Sequence, residues 1–175
     1  DPVRSKIVDI IDIEQWFYHH KGEYTPQGGV NMAPRQYARK IRTGSARFED
    51  VYRAVSEYRS QYPDKAVVYS AQKYPEMCWA SLMAGGSCAA IPVKDQAFLY
   101  ELSQMTPCPP ADGLYMLKGD NGRLVYASSA GAVVDLAENK YAVYSISVVT
   151  GEISYLSEAT GTFSLPAKGI FWLKK

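Results

Sequence analysis

From Thr106 to Gly113 the chain reads Thr-Pro-Cys-Pro-Pro-Ala-Asp-Gly. Proline locks φ and has no backbone N–H to donate, so no helix runs through this stretch and it reads as a boundary. The two sides of it differ in period. Upstream, apolar runs rich in β-branched residues alternate with stripes at steps of three and four, the signatures of buried strands and amphipathic helices. Downstream, no helical stripe occurs. The expected organisation is an α/β segment over residues 1–105, a Pro-rich linker over 106–113 and an all-β domain over 114–175.

Ile7, Val8, Ile10, Ile11 and Ile13 make Lys6–Glu14 a largely apolar run, which predicts a strand covered on both faces, as in parallel sheets. Val51, Tyr52, Val55, Tyr58 and Tyr62 recur at helical spacing and Pro63 closes the segment, predicting a helix over Arg47–Gln61. Ala66–Ser70 reads as a second buried strand, and Glu76–Ala84 as a helix stopped at Gly85-Gly86. Ala89–Ile91 reads as a third strand and Lys94–Met105 as a last helix. Strands alternating with helices imply a parallel sheet with right-handed crossovers. A complete (β/α)8 barrel takes about 250 residues, so this segment could supply only its last βα units.

Beyond Gly113, short apolar runs near 114–117, 124–128, 133–136, 141–149, 153–156, 163–165 and 170–173 are separated by clusters such as Gly-Asp-Asn-Gly122 and Ser-Ala-Gly131. That spacing predicts a small antiparallel β-sandwich. In the longest strand, Ala142, Tyr144, Ile146 and Val148 are expected to face the core.

Charge excludes some partners. Lys plus Arg is 19 against 18 Asp plus Glu, a net charge of +1, so there is no global field to draw nucleic acid or anionic lipid. No apolar run approaches the roughly 18 residues of a membrane span. The basic run Arg35, Arg39, Lys40, Arg42 and Arg47 is followed by Glu49 and Asp50 and reads as a solvated face. Cys78, Cys88 and Cys108 are too few and too irregularly spaced for a disulfide scaffold or a zinc site. They read as apolar fillers, with a Cys78–Cys88 bridge left open. No GK[ST] or GxGxxG motif occurs, so no nucleotide cofactor is expected. Asp1–Lys6 lacks the pattern of a signal peptide, as a mature chain or an excised piece would.

The residues that could carry chemistry lie where the predicted strands end. Asp12, Glu14 and Trp16 follow the first strand, and in parallel α/β proteins the C-terminal strand ends present catalytic side chains. Glu14 beside Trp16 suits glycoside hydrolysis, which needs carboxyls across a sugar and benefits from an aromatic face for the ring. The segment Phe17–Asn31 is polar and aromatic, the composition of a binding loop. Its His19 and His20 are adjacent and point apart, so no metal site is expected there. After the second strand, Gln72, Lys73 and Glu76 could reach a ligand. Glu14 is the candidate catalytic residue, and Asp12, Trp16, His19 and Gln72 are the candidate substrate-binding residues.

Ile11-Asp-Ile-Glu-Gln-Trp16, Ala66-Val-Val-Tyr-Ser70, Trp79-Ala-Ser-Leu-Met-Ala-Gly-Gly-Ser87 and Val149-Thr-Gly-Glu152 together resemble the C-terminal part of apiosidase-like bacterial glycoside hydrolases. The resemblance implies the last strands of a (β/α)8 barrel, Asp12–Trp16 matching the end of strand six, followed by a small collagen-binding-like β domain. It places one catalytic carboxylate upstream of Asp1 and a second within Ser70–Gln72, which holds no carboxylate here, so Glu14 or Glu76 would substitute. It implies a secreted or periplasmic location, a carbohydrate substrate, and a partner in the N-terminal portion of the same protein.

The function expected is that of the C-terminal portion of a secreted glycoside hydrolase acting on a plant or host polysaccharide or oligosaccharide. The alternatives are a non-catalytic carbohydrate- or protein-binding module and a structural accessory domain without a ligand.

Overall fold

The computed structural model describes residues 7–13, 16–18, 24–26, 47–69 and 75–175. They fall into two compact units, Asp1–Ala90 and Ile91–Lys175.

In the first unit, strands β1 (Ile10–Ile13) and β4 (Ala66–Tyr69) pair in parallel, Ile10 beside Ala66 and Ile13 beside Tyr69. The parallel pairing expected of these two runs is present. The first run is not covered on both faces, however. Ile13 is buried, but Ile10 and Asp12, which alternate to the other side, are exposed. Between these strands come the antiparallel pair β2 (Trp16–Tyr18) and β3 (Tyr24–Pro26), and helix α1 (Phe48–Gln61).

Helix α1 forms for the reason its sequence gives. Val51, Ala54 and Val55 make one wholly buried stripe, with Phe48 and Tyr52 beside it, and burying such a stripe is what stabilises most protein helices. Glu49 and Asp50 in the first turn and Arg59 in the last complement the helix dipole. Arg47 grips Asp50 through two bonds of 3.1 and 3.2 Å. The helix stops at Tyr62, before Pro63. Helix α2 (Pro75–Met83) starts on a proline, where no N–H is missed, and buries Met77, Cys78, Trp79, Ala80, Ser81 and Met83, nearly its whole girth. It packs against α1 and β4. Gly85 at φ 77 closes it in a left-handed cap, with Gly85 N–H donating to Leu82 O at 2.9 Å and Gly86 N–H to Ser81 O at 2.8 Å. Ala89–Ile91, expected as a third strand, belongs to no ladder; these residues are part-exposed and the run is too short to be held by burial.

The second unit opens with helix α3 (Gln96–Ser103), whose N-cap Asp95 accepts from Phe98 N–H at 2.9 Å. Strands β5 (Thr106–Ala111), β6 (Leu114–Lys118), β7 (Gly122–Ala127), β9 (Tyr141–Ile146), β10 (Ile153–Ala159) and β12 (Gly169–Lys174) make one antiparallel sheet in the order β10-β9-β12-β7-β6-β5. Strands β8 (Val133–Asp135) and β11 (Thr162–Ser164) pair separately. The antiparallel β content is as expected, in one sheet of six strands and one separate pair.

Two expectations change here. Thr106–Ala111, read as a linker, is an edge strand paired with β6. An edge tolerates residues without an N–H, and the register slips between Cys108 and Ala111, across Pro109 and Pro110. Asp112 and Gly113, at φ 49 and 76, then turn the chain as the two left-handed residues of a type I′ hairpin. The face assigned to β9 is also different. Tyr141 and Val143 point into the main cluster with Val125, Leu136, Leu165 and Phe171. Tyr144 points to the opposite side, its ring 5.2 Å from that of Trp172, against which Phe98 of α3 packs edge-on at 5.1 Å. Both faces of the sheet are covered, so alternation does not mark one as the core.

Candidate functional site

In a parallel pair the C-terminal ends lie together, and the register sets Ile13 beside Tyr69 at that end. Glu14 follows Ile13 in sequence, and Ser70-Ala-Gln72 follows Tyr69. Ile13 and Tyr69, after which those two segments follow in sequence, therefore share one edge of the sheet, the edge at which open parallel sheets bind ligands. Ile13 and Tyr69 are both buried, which holds that edge against the body of the first unit. Behind it, Trp79 of α2 and Val51 and Val55 of α1 are inaccessible to solvent.

Of the residues singled out in the sequence, Asp12 is exposed on β1 opposite Val68, one position before the strand end. Trp16 begins β2, its backbone paired with Pro26; its side chain is not described. Glu14, His19 and Gln72 lie outside the described residues. Glu76 lies in the first turn of α2, where a carboxylate complements the helix dipole.

Among the described residues, no three His, Cys, Asp or Glu gather to hold a metal ion. No disulfide joins the cysteines; Cys78 is buried, Cys88 exposed and Cys108 intermediate. Burial pushes the Cys78 thiol above its ordinary pKa, the reverse of what a nucleophilic cysteine needs. The buried carboxylate of Asp50 is committed to Arg47.

A concavity that the sequence did not announce lies in the second unit, lined by Tyr100, Glu101, Gln104, Lys118, Asp120 and Asn121 among others. Gly119-Asp-Asn-Gly122 reads locally only as a turn, and Glu101 only as one position on a helix. No spacing rule connects the two.

A family model described as "Domain of unknown function (DUF6298)" matches residues 1–105. No curated protein matches the chain. Among solved structures, one titled "Glycoside hydrolase" superposes with a TM-score of 0.52 at 12% identity, covering 87% of this chain and 52% of its own. The chain spans about half the length of that protein, and the likeness is one of fold. No helix among the described residues is long and apolar enough to cross a membrane.

Proposed function

The chain belongs to the family described as Domain of unknown function (DUF6298), and we propose that it is the C-terminal portion of a secreted or periplasmic bacterial glycoside hydrolase acting on a plant or host polysaccharide or oligosaccharide. The observation that carries the reading is the likeness of fold to a glycoside hydrolase over 87% of the chain. The parallel pair β1–β4 supports it, since its shared C-terminal end leads into Glu14 and into Ser70–Gln72.

In this reading the first unit supplies the last βα units of a (β/α)8 barrel, completed by an N-terminal portion of the same protein. Glu14 protonates the leaving glycosidic oxygen, and a second carboxyl from the upstream portion stabilises or attacks the oxocarbenium-like centre, the division of labour that two carboxyls across a sugar perform. Trp16 offers a face to the sugar ring, while Asp12, His19 and Gln72 bond to its hydroxyls.

The test is reducing-sugar release from plant and host polysaccharides by the protein from its native source, whose intact mass shows how far the polypeptide extends upstream. Glu14→Gln is expected to cut release by about 100-fold or more, the contribution of a positioned general acid. Turnover unchanged by Glu14→Gln removes Glu14 from the chemistry. Oligosaccharide binding with no release by any form of the protein makes it a non-catalytic carbohydrate-binding module instead.

A further inference from the structure

The concavity of the second unit is a built feature. One wall is α3 and its exit, where Gln104 N–H donates to Glu101 O at 3.1 Å and Met105 N–H to Leu102 O at 3.0 Å. The other is the β6–β7 turn, closed by Gly119 N–H donating to Gly122 O at 2.9 Å and tied down by Lys175 N–H donating to Asn121 O at 2.9 Å. Gly122 is needed for this shape, and Gly119 sits close against α3's exit. A Cβ on Gly122 would meet Leu173 O at 2.6 Å, and one on Gly119 would meet Met105 Cγ at 3.1 Å. The cleft holds about 480 Å³, within the range of small-molecule sites.

Its chemistry is mixed. The Glu101 side chain is 15% exposed, with Oε1 3.4 Å from the Lys174 ammonium. Its Oε2 is buried and has no hydrogen-bond partner. An unpartnered buried carboxylate oxygen is costly, and Glu101 is among the residues that line the cleft. Behind the turn, Trp172 is 5% exposed and its indole N–H is also unpartnered, 3.4 Å from where a Gly122 Cβ would sit. At the rim, Tyr100 is 72% exposed, with Gln104, Asp120 and Asn121 also lining the cleft.

We propose that this cleft binds a neutral saccharide. A sugar ring offers an apolar C–H face for Tyr100, hydroxyl donors for the carboxylates of Glu101 and Asp120, and hydroxyl acceptors for the amides of Gln104 and Asn121. An anion would face those two carboxylates. A divalent cation finds no group of three His, Cys, Asp or Glu ligands among the described residues, and Lys118 lines the cleft as well. The inference goes beyond the hydrolytic reading and stands without it, because none of these residues belongs to the strand-end site of the first unit.

The experiment is calorimetric titration of the full chain with cellohexaose, xylohexaose, mannohexaose and maltohexaose. At least one is expected to bind saturably, about fivefold more weakly to Tyr100→Ala and more weakly still to Glu101→Gln. Tyr100 is exposed, so its variant folds whatever Glu101→Gln does. Tyr155→Ala, which removes another exposed ring of the same unit, is expected to bind as the wild type does. No binding by the wild type overturns the proposal, as does wild-type affinity in Tyr100→Ala or loss of binding in Tyr155→Ala. Hydrolysis is read separately, as reducing-sugar release, and only the saccharide affinity is read in the Tyr100 and Tyr155 variants, so the two readings fail independently.

Discussion

At Gly151, a Cβ would sit 2.5 Å from the carbonyl carbon of Pro92 and 2.6 Å from the Val93 nitrogen, and φ is +73°. At Gly161, φ is +65° but nothing lies within 4 Å. Gly151→Ala therefore combines a left-handed backbone penalty with a clash against main chain that cannot swing aside, about 2–4 kcal/mol together. Gly161→Ala carries only the first, about 1 kcal/mol. Urea denaturation of the two variants checks this, and equal losses would show that the approach of Pro92 is not rigid. Thiol chemistry separates residues in the same way. Because burial raises the Cys78 pKa, the folded chain holds that proton more tightly than the unfolded one. The resulting stability is full below the unfolded-state pKa and is lost as pH rises through the folded-state value. Maleimide at pH 8 is expected to label exposed Cys88 first and Cys78 only on unfolding, as peptide mapping would read.

The elements differ in how much of them the sequence declared. Helix α1 was legible because Val51, Tyr52 and Val55 of its apolar stripe are buried while Glu49, Arg53 and Glu57 between them meet water. Strand β5 was not, because Pro107, Pro109 and Pro110 argue against any ladder unless the strand is known to lie at an edge, and edge position is a property of the whole sheet. The core face of β9 was misread for a related reason. With Tyr141 and Val143 packed on one side and Tyr144 on Trp172 on the other, the set that holds Ser145 and Ser147 is nonetheless the one in the main cluster, and period alone cannot choose. The cover on that second face is α3. Phe98 is fully buried and meets Trp172 edge-on, so Phe98→Ala is expected to cost about 3–5 kcal/mol. A thermal melt followed by Trp fluorescence measures it, and a loss under about 1 kcal/mol would mean the helix is peripheral to the sheet's stability.

For the molecule as a whole, the question is where one unit ends. The change of sequence texture put the boundary at the prolines after residue 105, and the family match also ends at residue 105. The contacts divide the chain between Ala90 and Ile91. The physical reason is α3: it is written in the helical texture of the upstream half, yet its buried Phe98 packs on Trp172 of the β sheet, and Lys174 of β12 reaches Glu101. Local period shows that a helix forms and not which sheet it covers. The saccharide cleft was hidden for the same reason, since it exists only once residues 100–108 are set beside 118–122. The strand-end residues Asp12 and Glu14 could be proposed from sequence because they need only the end of one strand. The division predicts how pieces of the chain behave. Residues 91–175 are expected to unfold cooperatively as a piece, because α3 travels with the sheet it covers. Residues 106–175 are expected to be less stable by about 3 kcal/mol or more, the cost of removing a buried Phe and baring the Trp172 face. Urea titration of both pieces by circular dichroism decides, with dye binding to exposed apolar surface expected only for the shorter one. Equal midpoints would place α3 outside the second unit and return the boundary to the prolines.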